Sequence, residues 1–344
     1  MSTPSTSQPL LTDLLRRVSR SFYLTLRVLP SGVRDPIGLA YLLARASDTI
    51  ADTELLPADQ RLSLLDAFNE AVQSEAAPPS MHALVQKQSD DAEAELLRVC
   101  HEAIQLLRAI SEQDRQLIRE VLDIIISGQV LDLQRFHAAR SEKITSLEDP
   151  QALKDYTYRV AGSVGAFWTR MCLTHLQGTP SLDHAELERL GVRYGQGLQL
   201  VNILRDFQKD LSMGRCYLPK SLWESTAWRP GGKHDGDEAF VTLWQDHVKE
   251  ALACLTDGWQ YVHALPTSWI RVRLACAWPI LLGVRTLRHL AYPPVPGSLP
   301  CKVPRTEVYE IMLRTMITSP LPEVWDSLFD RWISQCEAAF SERE

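Results

Sequence analysis

Four aspartates in two pairs are the residues best placed to do chemistry: Asp48 with Asp52 in YLLARASDTIADT, and Asp206 with Asp210 in GLQLVNILRDFQKD. Carboxylates four residues apart stand one helical turn apart on the same face. Both stretches are otherwise strongly apolar, and uncompensated carboxylates in such surroundings are costly. A positive counter-charge is therefore expected at each pair. Magnesium takes hard oxygen ligands and binds through one or two carboxylates together with phosphate oxygens. Diphosphate held by metal is the chemistry this pattern suggests, because such an ion offsets charge on a departing pyrophosphate. The allylic cation left behind needs a dry pocket, where aromatic faces can stabilise it further.

The elements that carry these pairs extend the pattern. Tyr41, Arg45, Asp48 and Asp52 fall at offsets 0, 4, 7 and 11, and Gln199, Asn202, Asp206 and Asp210 at offsets 0, 3, 7 and 11. At ~100° per residue each set lies within a quarter of a helix circumference. The flanks are Leu42, Leu43, Ala44 and Ile50 on one helix, and Leu198, Leu200, Val201, Ile203 and Leu204 on the other. A helix apolar around most of its girth belongs in an interior, so the stripes are expected to line an internal cavity. A solvated face stabilised by pairs such as Arg45 with Asp48 is the alternative for either helix alone. Two stripes of one design in one chain weigh against it.

The chain of 344 residues has room for one large domain or two, and 45% hydrophobic residues allow a substantial core. A net charge of -7 with a pI near 5.8 argues against a nucleic-acid binder. Seven scattered cysteines, without a CxxC pair, fit free thiols in a reducing compartment and give no zinc-type spacing. Residues 1–9 read as a disordered lead without the order of a secretory signal. No apolar run reaches the roughly 18 residues that span a bilayer. A cytoplasmic protein is expected, with peripheral membrane contact left open.

Helical periodicity dominates from residue 10 onward, predicting a single all-helical domain over 10–344. A helix is expected near 10–20, and another is expected to start at Asp35-Pro36, since proline suits a first helical turn. Further helices are expected at 58–75, 92–110, 112–139, 149–176, 183–211, 238–263, 267–290, 305–318 and 322–341. Residues 224–237, rich in glycine and charge, read as a mobile surface loop. Residues 291–305 contain five prolines and read as an extended crossing.

Taken in order, these segments resemble the squalene/phytoene synthase family, whose members join isoprenoid diphosphates head to head. Ser19-Arg20-Ser21-Phe22 is similar to its N-terminal motif, and Tyr41 through Asp52 to its first aspartate helix. Tyr156 through Gly165 (YTYRVAGSVG) is similar to the helix with a catalytic tyrosine and closely packed glycines. Gln199 through Asp210 is similar to the second aspartate helix, and Gly214-Arg215 and Tyr217-Leu218-Pro219 to the segment just beyond it. Each fragment is weak alone; their order and spacing over Ser19 to about residue 315 are specific.

The resemblance implies an all-α isoprenoid synthase fold, of the class I terpenoid synthase kind, around a central cavity. It assigns Asp48, Asp52, Asp206 and Asp210 to Mg2+, and Ser19, Arg20, Ser21, Phe22, Gln199, Asn202 and Arg215 to substrate diphosphate. Tyr156, Tyr41, Arg45 and Arg205 become catalytic, although the two arginines could equally be ion-pair partners of their aspartates. Cys276-Ala277-Trp278-Pro279 is similar to the corresponding run of squalene synthases, and Lys302-Val303-Pro304-Arg305 to a basic stretch near their proposed NADPH region. Both have structural alternatives: a proline kink and two solvated cations. No Rossmann glycine fingerprint supports NADPH independently. The C-terminal membrane anchor of eukaryotic squalene synthases is missing, so the resemblance is to the soluble bacterial type. The expected activity is condensation of two farnesyl diphosphates through presqualene diphosphate, then NADPH reduction to squalene. Alternatives stop without the hydride, at dehydrosqualene, phytoene or presqualene diphosphate. A class I terpene cyclase and a catalytically silent helical scaffold are further rivals.

Overall fold

In a computed structural model of the chain, the described residues are 14–19, 22–137, 139, 143–232, 237–319 and 321–340. They are almost entirely helical, as the periodicity predicts. In chain order the elements are α1 (Leu15–Ser19), α2 (Phe22–Val28), α3 (Ser31–Asp52), α4 (Ala58–Gln73), α5 (His82–Lys87), α6 (Asp91–Ala109) and α7 (Glu112–Phe136). Next come β1 (Thr145–Ser146), α8 (Pro150–Thr157), α9 (Ser163–His175), α10 (His184–Ser212), β2 (Arg215–Cys216) and α11 (Lys220–Trp223). The last are α12 (Glu238–Ala264), α13 (Ile270–His289), α14 (Arg305–Ile317) and α15 (Pro322–Ala338).

Aspartates start several of these helices by accepting hydrogen bonds from the otherwise unpaired first-turn amides. Asp90 takes those of Ala92 and Glu93 ahead of α6, and Asp149 that of Ala152 ahead of α8. Asp183 takes that of Glu186, and Asp237 that of Phe240. The chain groups into two compact units, one of residues 1–134 and 167–177, the other of 135–166 and 178–344. In the first, α3 packs against α4 and α6, and Leu43, Ile50, Leu65, Phe68, Ile104 and Leu107 are fully buried. In the second, α10 lies between α12 and the α8 segment, while α13 joins α12 to α14 and α15.

Several local expectations change. The first aspartate helix starts at Ser31 rather than at Pro36, which sits inside α3. Arg34 fastens the earlier start by donating from Nε and Nη2 to the Leu29 carbonyl at 3.1 and 2.6 Å. Of the 10–20 helix only Leu15–Ser19 is described, and the 1–9 lead lies outside the described residues. The stretch 149–176 is not one α-helix, because Tyr158–Gly162 is a π turn. Within 224–237, Trp228 is buried rather than solvated: it stacks on Phe240 with centroids 4.2 Å apart, and its amide donates to Asp237. The one sheet among the described residues is a parallel pair in which Thr145 faces Arg215 and Ser146 faces Cys216.

Candidate active site

The first aspartate stripe is the accessible face of an otherwise buried helix. Leu42, Leu43 and Ile50 of α3 are buried, whereas Tyr41 and Arg45 are half-buried and Asp52 is exposed. The Asp48 side chain is 42% exposed, so this end of the stripe opens to solvent instead of lining a sealed interior. Arg45 pairs with Asp48 and, at 2.5 Å, with Glu93 on α6. Glu93 is steadied by the Gln88 amide, which donates to it at 3.0 Å. The Asp48 carboxyl is held above its ordinary value by partial loss of hydration and by the nearby Asp52 charge, against the opposing pull of Arg45. Burial works against the Arg45 charge as well, but Asp48, Glu93 and Tyr41 outweigh it and hold the guanidinium above its ordinary value.

The second stripe repeats the arrangement in the other unit. Gln199, Asn202, Arg205, Asp206 and Asp210 of α10 are all half-buried, between buried Leu200, Ile203, Leu204 and Phe207. Arg205 grips Asp206 through both carboxylate oxygens, at 3.0 and 2.6 Å. The Asn202 amide donates to Gln199 at 3.4 Å. Each arginine thus holds the first aspartate of its pair.

Glycines bring the Tyr156 helix onto α10. A Cβ on Gly165 would lie 1.9 Å from the Gly191 carbonyl oxygen, and one on Gly195 would lie 2.2 Å from that of Ala161. Only glycine lets two backbones approach so closely. Tyr156, buried near the end of α8, stacks on Tyr217 with ring centroids 4.9 Å apart, and Phe136 meets Tyr217 edge-on at 5.3 Å. Tyr217 is placed by the strand pair: Gly214 turns the chain at φ +78°, its carbonyl accepts from Thr145 at 2.8 Å, and half-buried Arg215 comes next. Sequence reasoning assigned no role to Tyr217 or Glu93. The Tyr217-Leu218-Pro219 run was a signal for the first, whereas Glu93, 45 residues beyond Asp48, left none.

The proline-rich crossing reaches the second stripe. Gln208 donates to the Pro294 carbonyl at 2.9 Å, and Cys301 lies close enough to Arg205 for its charge to oppose the upward push of burial on the thiol. Lys302 and Arg305 are exposed. Cys276 to Pro279 serve packing: the Cys276 carbonyl accepts from the Tyr194 hydroxyl at 3.0 Å, and Trp278 donates to Thr315 at 2.9 Å. Arg20 and Ser21 lie outside the described residues, as do the side chains of Ser19 and Phe22.

Among the described residues no three His, Cys, Asp or Glu side chains converge as a ready-made metal cage. The donor set nevertheless fits magnesium, which demands oxygen ligands and takes most of its shell from water and phosphate. Loss of hydration is the main cause that raises the Asp48 carboxyl and the Asp52 charge is the second, and a cation would relieve the part that is charge repulsion. Lys302 and Arg305 suit the phosphates of a dinucleotide by charge alone.

Comparison with known proteins bears on the family and the fold. The family model described as squalene/phytoene synthase matches residues 15–305. The squalene synthase of Schizosaccharomyces pombe is 26% identical over 308 residues, which cover 88% of this chain and 64% of the relative. The bifunctional lycopene cyclase/phytoene synthase of Blakeslea trispora is 28% identical over 310 residues, covering 87% and 48%. The chain thus spans about half to two thirds of the length of these relatives. A solved complex of TcSQS with a ligand superimposes with a TM-score of 0.74 at 21% identity, covering 97% of this chain and all of that one. At that identity the likeness concerns the all-α fold.

Proposed function

The chain belongs to the squalene/phytoene synthase family, and on that premise we propose that it condenses two farnesyl diphosphates head to head and reduces the product to squalene. One observation carries the reading. Each Asp-x-x-x-Asp pair occupies the accessible stripe of a buried helix, with an arginine fixed to its first aspartate. Asp48, Asp52, Asp206 and Asp210 would hold Mg2+, which when bound supplies Lewis-acid charge to the leaving diphosphate. Arg45, Arg205 and Arg215 present guanidinium donors suited to diphosphate oxygens. Gln199 and Asn202, with Ser19, Arg20, Ser21 and Phe22 by resemblance, complete that cradle. Tyr156 faces Tyr217 in a stacked pair whose π surface would steady a neighbouring cation. Its hydroxyl, with that of Tyr41, is the group we assign to handling the proton lost as presqualene diphosphate closes its ring. NADPH, held at its phosphates by Lys302 and Arg305, would supply the hydride that ends the second half-reaction.

A second reading keeps all of this except the hydride. The phytoene synthase relative, as similar as the squalene synthase one, favours it. Mass analysis of lipid made from labelled farnesyl diphosphate and Mg2+, with and without NADPH, decides. Squalene formed only with NADPH is expected. Dehydrosqualene or presqualene diphosphate in both arms supports the second reading, and absence of any C30 product overturns both.

A further inference from the structure

Helix α14, which shares only Arg305 with the 15–305 stretch matched by the family model, carries an apolar face that is exposed among the described residues. Tyr309, Leu313, Met316 and Ile317 are between 43% and 68% exposed. At ~100° per residue they occupy about 100° of one side of the helix. The opposite side is anchored in the core by Ile311 and Thr315. The stripe continues into Leu321, 57% exposed, and the segment entering the helix bears Leu299, 90% exposed. Contiguous large apolar side chains are uncommon on a surface without a partner.

Beside this face lies a cleft of opposite character. Arg285 and Arg288 of α13, Arg314 of α14 and Arg331 of α15 line a cavity of about 480 Å³ together with Glu307 and Glu310. Arg285 is occupied by Glu307 at 2.5 Å and lies over the Trp332 ring, and Arg288 donates to Gln335 at 3.3 Å. Arg314 and Arg331 have no side-chain partner among the described residues, and both also line an adjoining cavity of about 360 Å³. Guanidinium pairs of this kind match phosphate oxygens. In a chain of net charge -7, a local excess of arginine next to an apolar helix face is not a general feature of the surface.

We propose that α14 is a membrane-docking helix. It lies in the interface of a bilayer containing anionic phospholipid, its apolar face among the acyl chains and a lipid phosphate between Arg314 and Arg331. An amphipathic helix with cations along its flank binds such a surface through buried apolar area and attraction to anionic headgroups. Among the described residues no helix is long and apolar enough to cross a membrane, and the proposed contact is one of a helix lying in the interface. It does not depend on which product the enzyme makes.

Flotation of the full chain with vesicles of phosphatidylcholine alone, or with a third phosphatidylglycerol, tests the assignment. Binding is expected to the anionic vesicles and to weaken with salt. Leu313→Glu with Ile317→Glu should lower it at least about a hundredfold, with the melting temperature of the free protein unchanged because both positions are exposed. Arg314→Gln with Arg331→Gln should lower it roughly thirtyfold and remove the preference for anionic lipid. Failure of the wild-type chain to float overturns the proposal. So does a dimer in light scattering that Leu313→Glu dissociates, since a second copy would then cover the face. Saturable binding of soluble glycerol phosphate without vesicle binding also overturns it.

Discussion

An aspartate on a helix is ordinary; what sets Asp48 and Asp206 apart is that each is half-buried and already holds an arginine. The arginine limits the cost of the carboxylate in the resting protein without satisfying all of its lone pairs. Asp48 remains uncomfortable, its carboxyl held above its ordinary value by partial loss of hydration and by Asp52. Such a group is suited to a ligand that brings positive charge. Asp48→Ala and Asp206→Ala are each expected to cut turnover of farnesyl diphosphate at least about a hundredfold, on the scale at which even indirect metal contacts matter. Circular dichroism should stay that of the parent. Near-parental turnover in either variant would sink the metal assignment for that pair.

Between helices the decisive contacts are made by backbone. Gly165 meets the Gly191 carbonyl and Gly195 that of Ala161, which seats the π turn Tyr158–Gly162 and the Tyr156 helix on α10. Neither carbonyl can swing aside as a flexible side chain would. Gly165→Ala is therefore expected to destabilise the protein by at least about 3 kcal/mol, the upper range for an overpacked core. A melting temperature within a degree of the parent would show that the crossing yields more easily than its geometry indicates. The same approach brings the aromatic pair Tyr156 and Tyr217 together within the unit that holds Asp206, so lost stability and lost turnover are expected to appear together.

Across the whole molecule, acid sensitivity has a source away from the aspartates in buried histidine. His247, on α12, is driven below its ordinary value chiefly by burial, while its Leu243 carbonyl contact and the charges of Asp246 and Glu250 pull the other way. A histidine whose folded value lies below its unfolded one stabilises the fold above about pH 6.5, and that contribution is lost as pH falls through the folded value. Melting temperature should therefore fall more steeply below pH 6.5 in the parent than in His247→Gln. Parallel curves for the two proteins would assign acid unfolding elsewhere.

The sequence by itself determined the all-helical class, the two polar stripes and the family, because helical period and motif order are properties of the chain alone. It did not show that Arg45 also reaches Glu93, a contact that forms only when α6 packs on α3. Pro36 misplaced the start of α3, because Arg34 holds an earlier turn that proline spacing does not register. Cys276 to Pro279 resemble squalene synthases in sequence, and only packing shows Trp278 against Thr315 and the Cys276 carbonyl against Tyr194. The stacking of Tyr217 on Tyr156 and the bare face of α14 likewise became visible only once neighbours were in place. Spacing along one helix is written in the residues, whereas partnership and exposure are decided by segments far apart in the chain, and only tertiary structure brings those together.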